Sequence, residues 1–146
     1  MKIEVFCEKE TKEIAYNIAK NAKAGDIYCL CGELGTGKTQ FSKGFSKGLL
    51  IDEDITSPTF TIVNQYDDGR LPFYHFDVYR INDIDELYDI GYEEYFFGRG
   101  VCLIEWAELI KDIIPKDAIW IKIYKNLEKG EDYRVIEVIK YEDISY

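Results

Sequence analysis

The chain has 146 residues, with 18 Lys and Arg against 28 Asp and Glu, a net charge of −10, 47% apolar and 32% charged residues. That length and balance predict a single domain over residues 1–146, with a core large enough to fold without a disulfide or structural metal. No apolar run reaches the roughly 18 residues of a membrane span, and no basic-then-apolar leader opens the chain, so a cytoplasmic protein is expected. The acidity argues against a broad grip on phosphate backbones, although a small basic patch stays possible.

In chain order, Lys2 to Phe6 alternates as a short strand, with Ile3 and Val5 on one face. Thr11 to Lys23 reads as a helix: Ile14, Ile18 and Ala22 recur every four residues, and Thr11 suits the N-cap. Gly25-Asp26 ends it, and Ile27 to Cys31 is a continuous apolar run suited to a buried strand. A glycine-rich turn over Gly32 to Gly37 leads into a helix from Lys38 to about Leu49. Ser57-Pro58 marks a loop, because the residue before proline avoids the helical region. Thr59 to Tyr66 and Leu71 to Tyr79 are strand-like and joined as a hairpin. Short helices are expected at Asp83 to Tyr88 and Glu93 to Phe97. Val101 to Ile104 is a second buried run closed by Glu105, and Ala118 to Tyr124 and Arg134 to Ile139 form a final strand pair. The fold class is therefore α/β, a three-layer sandwich with a mixed, mainly parallel central sheet.

Cys7, Cys29, Cys31 and Cys102 contain no C-x-x-C pair and no Cys/His cluster, which predicts buried reduced thiols. The single histidine, His75, lies in a different segment.

Gly32-Glu33-Leu34-Gly35-Thr36-Gly37-Lys38-Thr39 fits G-x-x-x-x-G-K-[ST]. Glycines let the backbone curl its N–H groups inward around phosphate oxygens, and the next helix turns its positive end to the same anion. Lys38 would reach the β- and γ-phosphates, and the Thr39 hydroxyl would join a Mg²⁺ ion. A P-loop needs a further acidic group near that ion, and Glu105, leaving a buried strand, supplies one; a strand-end glutamate facing solvent is the competing reading. In His75-Phe76-Asp77-Val78-Tyr79-Arg80, alternation puts His75, Asp77 and Tyr79 on one face. Asp77 could ligate Mg²⁺ through water or orient an attacking water; a structural hydrogen-bond cluster is the competing reading. Trp106, beside Glu105, could belong to the site or to the core.

P-loop, Ser57-Pro58-Thr59-Phe60, HFDVYR, Glu86-Leu87-Tyr88-Asp89-Ile90-Gly91 and Leu103-Ile104-Glu105-Trp106 follow one another in an order and spacing that closely resembles the TsaE (formerly YjeE) family. These are bacterial ATPases required for threonylcarbamoyladenosine biosynthesis on tRNA. The resemblance runs from about Thr11 to Pro115. It implies a compact P-loop fold that binds ATP and Mg²⁺ and docks on the TsaD and TsaB proteins. Those partners transfer the threonylcarbamoyl group from threonylcarbamoyl-AMP to the adenosine beside the anticodon, so tRNA is met only through the complex. It also implies that Thr39 and Glu105 ligate Mg²⁺ and that Gly32 to Thr39 hold the phosphates. Ser57, Pro58 and Thr59 with Phe60 would form a switch-like loop. Asp77 and Trp106 would complete the site, and Thr11 would lie near the nucleotide. Ala107 departs from the proline frequent after this tryptophan.

An acidic chain with 12 tyrosines and two tryptophans suits protein partners. Two other functions remain open on the residues: a stand-alone small kinase with Asp77 as base, or a nucleotide-gated binding module with negligible hydrolysis. Arg70, Arg80, Arg99 and Arg134 are scattered along the chain, which disfavours the arginine-bearing lid of a kinase.

Overall fold

A computed structural model describes residues 1–33, 35–58 and 61–144. The first half contains β1 (Lys2–Val5), α1 (Glu8–Lys20), β2 (Ile27–Cys31), α2 (Lys38–Gly48), β3 (Val63–Tyr66) and β4 (Phe73–Asp77). The second contains α3 (Asp85–Asp89), α4 (Tyr92–Phe96), β5 (Val101–Glu105), β6 (Ile119–Lys125) and β7 (Arg134–Ile139). A 3₁₀ stretch, Ala107–Ile113, follows β5 directly.

The strands form one sheet in the order β1-β7-β6-β2-β5-β4-β3. Its four central strands are parallel, pairing β6 with β2, β2 with β5 and β5 with β4. The outer pairs, β1 with β7, β7 with β6 and β4 with β3, are antiparallel. β2 and β5 are buried at every position because helices cover both faces. Tyr28, Leu30, Val101 and Leu103 face a core completed by Ala15 and Ala19 of α1 and Phe41 and Phe45 of α2. Cys29, Cys31, Cys102 and Ile104 face the opposite core, with Leu87, Tyr92, Phe96 and Trp120. The result is the expected three-layer α/β sandwich with a mixed sheet.

Several boundaries differ from the sequence reading, each for a local reason. α1 begins at Glu8 with Cys7 as its N-cap, so Thr11 is not the cap. Glu10 secures the earlier start: its carboxylate accepts the Phe6 backbone N–H at 2.7 Å, and Thr11 N–H reaches the Cys7 carbonyl at 3.3 Å. The helix ends at Lys20, where Arg70 of the β3–β4 turn donates to the carbonyls of Ala19, Lys20 and Ala22. β3 starts at Val63 because Ile62 adopts φ +67, a left-handed conformation that breaks an extended run. β4 stops at Asp77, whose Oδ1 accepts the Tyr79 N–H at 3.0 Å and turns the chain. Cys7 is exposed rather than buried, as its position at the helix start requires, whereas Cys29, Cys31 and Cys102 are buried. Burial pushes the thiols of Cys31 and Cys102 up to about 12 and that of Cys29 well up too, which keeps them protonated.

Candidate functional site

Between β2 and α2 the backbone makes three left-handed glycine turns, at Gly32, Gly35 and Gly37. At Gly32, φ is +139, and a Cβ would stand 2.3 Å from the Ile123 carbonyl oxygen, so this position needs glycine for both space and conformation. Gly37, at φ +100, is the N-cap of α2. Thr36 braces the turn by donating from Oγ1 to the Glu33 carbonyl at 2.9 Å. The loop therefore delivers its backbone to the N-terminus of an 11-residue helix, where unpaired N–H groups and the helix dipole favour an anion.

Lys38 is buried, with 6% of its surface exposed. Its Nζ donates to the carbonyls of Gly32 at 2.6 Å and Glu33 at 2.8 Å, and lies 3.9 Å from the centroid of the Trp106 ring. Desolvation lowers its pKa, and the charges of Glu108, Glu105 and Asp77 act against that fall. Trp106 reaches this position because its own backbone turns left-handed, at φ +64, between β5 and the 3₁₀ stretch. Tyr79 packs on its ring at a centroid distance of 4.6 Å. Trp106 is thus half-buried beside the loop, within reach of Lys38.

Asp77 and Glu105 end adjacent parallel strands and are register partners across β4 and β5. Burial raises the Asp77 pKa, and the hydrogen bond from Tyr79 N–H opposes the rise. Glu105 is a buried carboxylate whose Oε2 meets His75 Nε2 at 2.6 Å.

These groups converge on a cavity of about 500 Å³. Gly35, Thr36, Gly37, Lys38, Thr39, Asp77, Glu105 and Trp106 line it, as do Ser57 and Pro58 from the predicted switch segment. Thr11, although inside α1 and buried, also lines it, with Cys7 and Glu8. Gly32 and Glu33 line a neighbouring hollow with Glu108 and Lys122, and serve the cavity through their carbonyls on Lys38. His75 shares a strand face with Asp77 but sits behind the cavity wall. Leu34 and Thr59, with Phe60, lie outside the described residues.

The sequence reading missed three contributors. Arg134, at the start of β7, lines the cavity and donates to the carbonyls of Thr36 at 3.1 Å and Gly35 at 3.3 Å. Arg80 lines the cavity as well, so two of the scattered arginines line one cavity. Glu108 accepts the Gly32 N–H on Oε2 at 3.3 Å, beneath the loop, and burial raises its pKa. Glu108 and Arg80 carried a local signal, each three residues beyond a candidate carboxylate, Glu105 and Asp77; Arg134 carried none.

The chemistry of the donor set fits a magnesium nucleotide. Among the described residues, no group of three or more His, Cys, Asp or Glu side chains is arranged to hold a metal by itself. Mg²⁺ characteristically takes one or two protein oxygens and completes its shell with phosphates and water. Thr39 and Glu105 could provide those oxygens, with the loop and Lys38 meeting the phosphates.

The chain matches the family model described as "Threonylcarbamoyl adenosine biosynthesis protein TsaE" over residues 6–135. It is similar to the tRNA threonylcarbamoyladenosine biosynthesis protein TsaE of Bacillus subtilis, 51% identical over 128 residues, covering 88% of this chain and 78% of the relative. The protein of that name from Treponema pallidum is 42% identical over 106 residues, covering 73% of this chain and 78% of its own. The crystal structure of Bacillus subtilis YdiB superposes with a TM-score of 0.76 at 44% identity, covering 94% of this chain and 83% of that one. On sequence and fold together, this chain belongs to the threonylcarbamoyl adenosine biosynthesis protein TsaE family.

Proposed function

We propose that this protein is the Mg²⁺-dependent ATPase component of bacterial tRNA threonylcarbamoyladenosine biosynthesis. It acts with TsaD and TsaB, which perform the threonylcarbamoyl transfer. The observation that carries this reading is the convergence of Lys38, Thr39, Asp77 and Glu105 on one cavity at the positively polarised end of α2. Among the described residues no helix is long and apolar enough to cross a membrane, which is compatible with work on tRNA in the cytoplasm.

In this reading Gly32 to Thr39 cradle the phosphates, and Lys38 exchanges its carbonyl partners for the β- and γ-phosphate oxygens. Thr39 and Glu105 would hold the magnesium ion, which when bound would offset charge on the phosphates. Asp77 orients the water that attacks the γ-phosphate and takes its proton as the bond to ADP breaks. Ser57 and Pro58 belong to a segment that responds to the γ-phosphate and reports it to the docked partners.

The test is phosphate release from ATP with and without TsaD and TsaB from the same source. Slow release alone and a changed rate with both partners are expected. A parallel arm measures affinity for the TsaD–TsaB pair with ADP and with a non-hydrolysable ATP analogue. No hydrolysis under either condition, with equal affinities, would overturn the ATPase reading and leave a constitutive subunit.

A further inference from the structure

His75 is the only histidine in the chain, and its imidazole is almost wholly buried, with 2% of the side chain exposed. Register pairs His75 with Leu103 and Asp77 with Glu105, so Glu105 is the diagonal neighbour of His75 on the same sheet face. The Nε2 to Oε2 distance is 2.6 Å, a short hydrogen bond. The other ring nitrogen, Nδ1, is buried and has no hydrogen-bond partner among the described residues. The ring lies nearly parallel to Phe73, 9° between planes at 5.8 Å.

A ring needed only for packing at this place would be better without nitrogens, because an orphaned buried nitrogen forfeits its hydration for nothing. The imidazole therefore has its return elsewhere, and Glu105 is the group it touches. Among the described residues no lysine or arginine forms an ion pair with that carboxylate; the buried ammonium of Lys38 is taken by loop carbonyls. Glu105 lines the cavity, whereas His75 does not.

We infer that His75 is a positioning residue that holds Glu105 from behind, fixing one carboxylate oxygen so that the other serves the cavity. It rests on the reading of Glu105 as a magnesium ligand. This role places a proton on Nε2, donated to Glu105 Oε2. Orienting a ligand carboxylate in this way removes the rotamer search that metal binding would otherwise require.

Because there is one histidine, ¹⁵N-histidine labelling of the intact protein gives a single imidazole to observe. The expected spectrum is the Nε2–H tautomer, with shifts that respond when Mg²⁺ is added to the ADP complex but not when ADP is added in EDTA. The Nδ1–H tautomer, or an imidazole indifferent to Mg²⁺ that demonstrably binds, would overturn the inference. A second arm compares His75→Leu and His75→Gln for thermal unfolding, ADP affinity in EDTA and Mn²⁺ affinity in the ADP complex by electron paramagnetic resonance. His75→Leu should keep its fold and metal-free ADP affinity while losing Mn²⁺ affinity by about 10- to 100-fold, the usual loss when a ligand's orienting partner is removed. His75→Gln, which can present an amide donor near the Nε2 position, should recover most of that loss. Equal Mn²⁺ affinity in wild type and His75→Leu would make His75 a packing residue. Should His75→Leu not fold, the tautomer and its Mg²⁺ response in wild type decide. A wild type that binds ADP but no Mn²⁺ would remove the metal role of Glu105 itself, and the positioning role with it.

Discussion

The ammonium of Lys38 lies 3.9 Å from the centre of the Trp106 ring while its protons engage two carbonyls of its own loop. An ammonium on an aromatic face is stabilised by the ring quadrupole, and more so when both are desolvated. Any anion that draws Lys38 off those carbonyls also changes the field at the indole. Intrinsic fluorescence should therefore report nucleotide binding through Trp106, since Trp120, the only other tryptophan in the sequence, is fully buried and does not line the cavity. ADP titration should change the emission of wild type and leave that of Trp106→Phe almost constant. A full response in Trp106→Phe would show that the reporter lies elsewhere.

Among the described residues, Lys38→Ala removes the only lysine that lines the cavity. The loop carbonyls of Gly32 and Glu33 lose a donor at the same time, so the loop should loosen as well. Calorimetry with ATP and Mg²⁺ should show binding abolished or weakened by at least tenfold, about 1.4 kcal/mol. Wild-type affinity in this variant would remove the P-loop assignment.

Glu108 supplies a pH test with a defined sign. Its pKa is raised above the ordinary 4.5, mainly by burial, with hydrogen bonds from its own and Gly32 backbone N–H groups and the charges of Lys38 and Lys122 acting against the rise. Between 4.5 and the raised value the folded chain holds more protons at this site than the unfolded chain. Its contribution is therefore most favourable at low pH and declines as pH rises through that window. Glu108→Gln does not titrate. Urea unfolding should show the stability difference shifting in favour of Glu108→Gln as pH rises from 4.5 through the raised value, then levelling off. A difference that moves the other way would mean that the loop and lysine contacts outweigh burial.

What was legible in the sequence depended on how far apart the cooperating residues lie. The loop from Gly32 to Thr39 is contiguous, and its function as a turn into a helix follows from glycine placement alone. Glu105 could be placed because a short apolar run implies a buried strand with an exit, and parallel register with β2 then sets it opposite Leu30. The start of α1 was misjudged because threonine is the better intrinsic cap, whereas the structure uses the Glu10 carboxylate on Phe6 N–H. Arg134 was invisible as a site residue because its contacts with Gly35 and Thr36 span 99 and 98 positions. Those contacts exist only once β7 has joined the sheet through β6, and no local pattern encodes that. His75 and Glu105 are likewise 30 positions apart, brought together by strand register.

The last prediction concerns how α1 is held against the site. Gly44 of α2 lies against the backbone of Lys12 in α1, where an added Cβ would stand 2.3 Å from the Lys12 carbonyl oxygen and 2.7 Å from its Cα. These are backbone atoms of a packed helix, so rotamer change cannot relieve the clash and α1 itself has to move. Gly44→Ala would gain up to about 1 kcal/mol of helix propensity at an interior position. Overpacking against a rigid neighbour costs about 1–3 kcal/mol, and with a contact this short it should win, giving net destabilisation. Lys43→Ala, at the exposed neighbouring position, should change stability by no more than about 0.5 kcal/mol. Because α1 carries Cys7, Glu8 and Thr11 into the cavity wall, its displacement should also weaken ADP binding, although Gly44 itself does not line that cavity. Denaturant unfolding and ADP calorimetry on Gly44→Ala and Lys43→Ala separate the two effects. If Gly44→Ala were as stable as wild type, the close approach of α1 and α2 would be wrong. If it were destabilised but bound ADP normally while folded, α1 would not contribute to the nucleotide site.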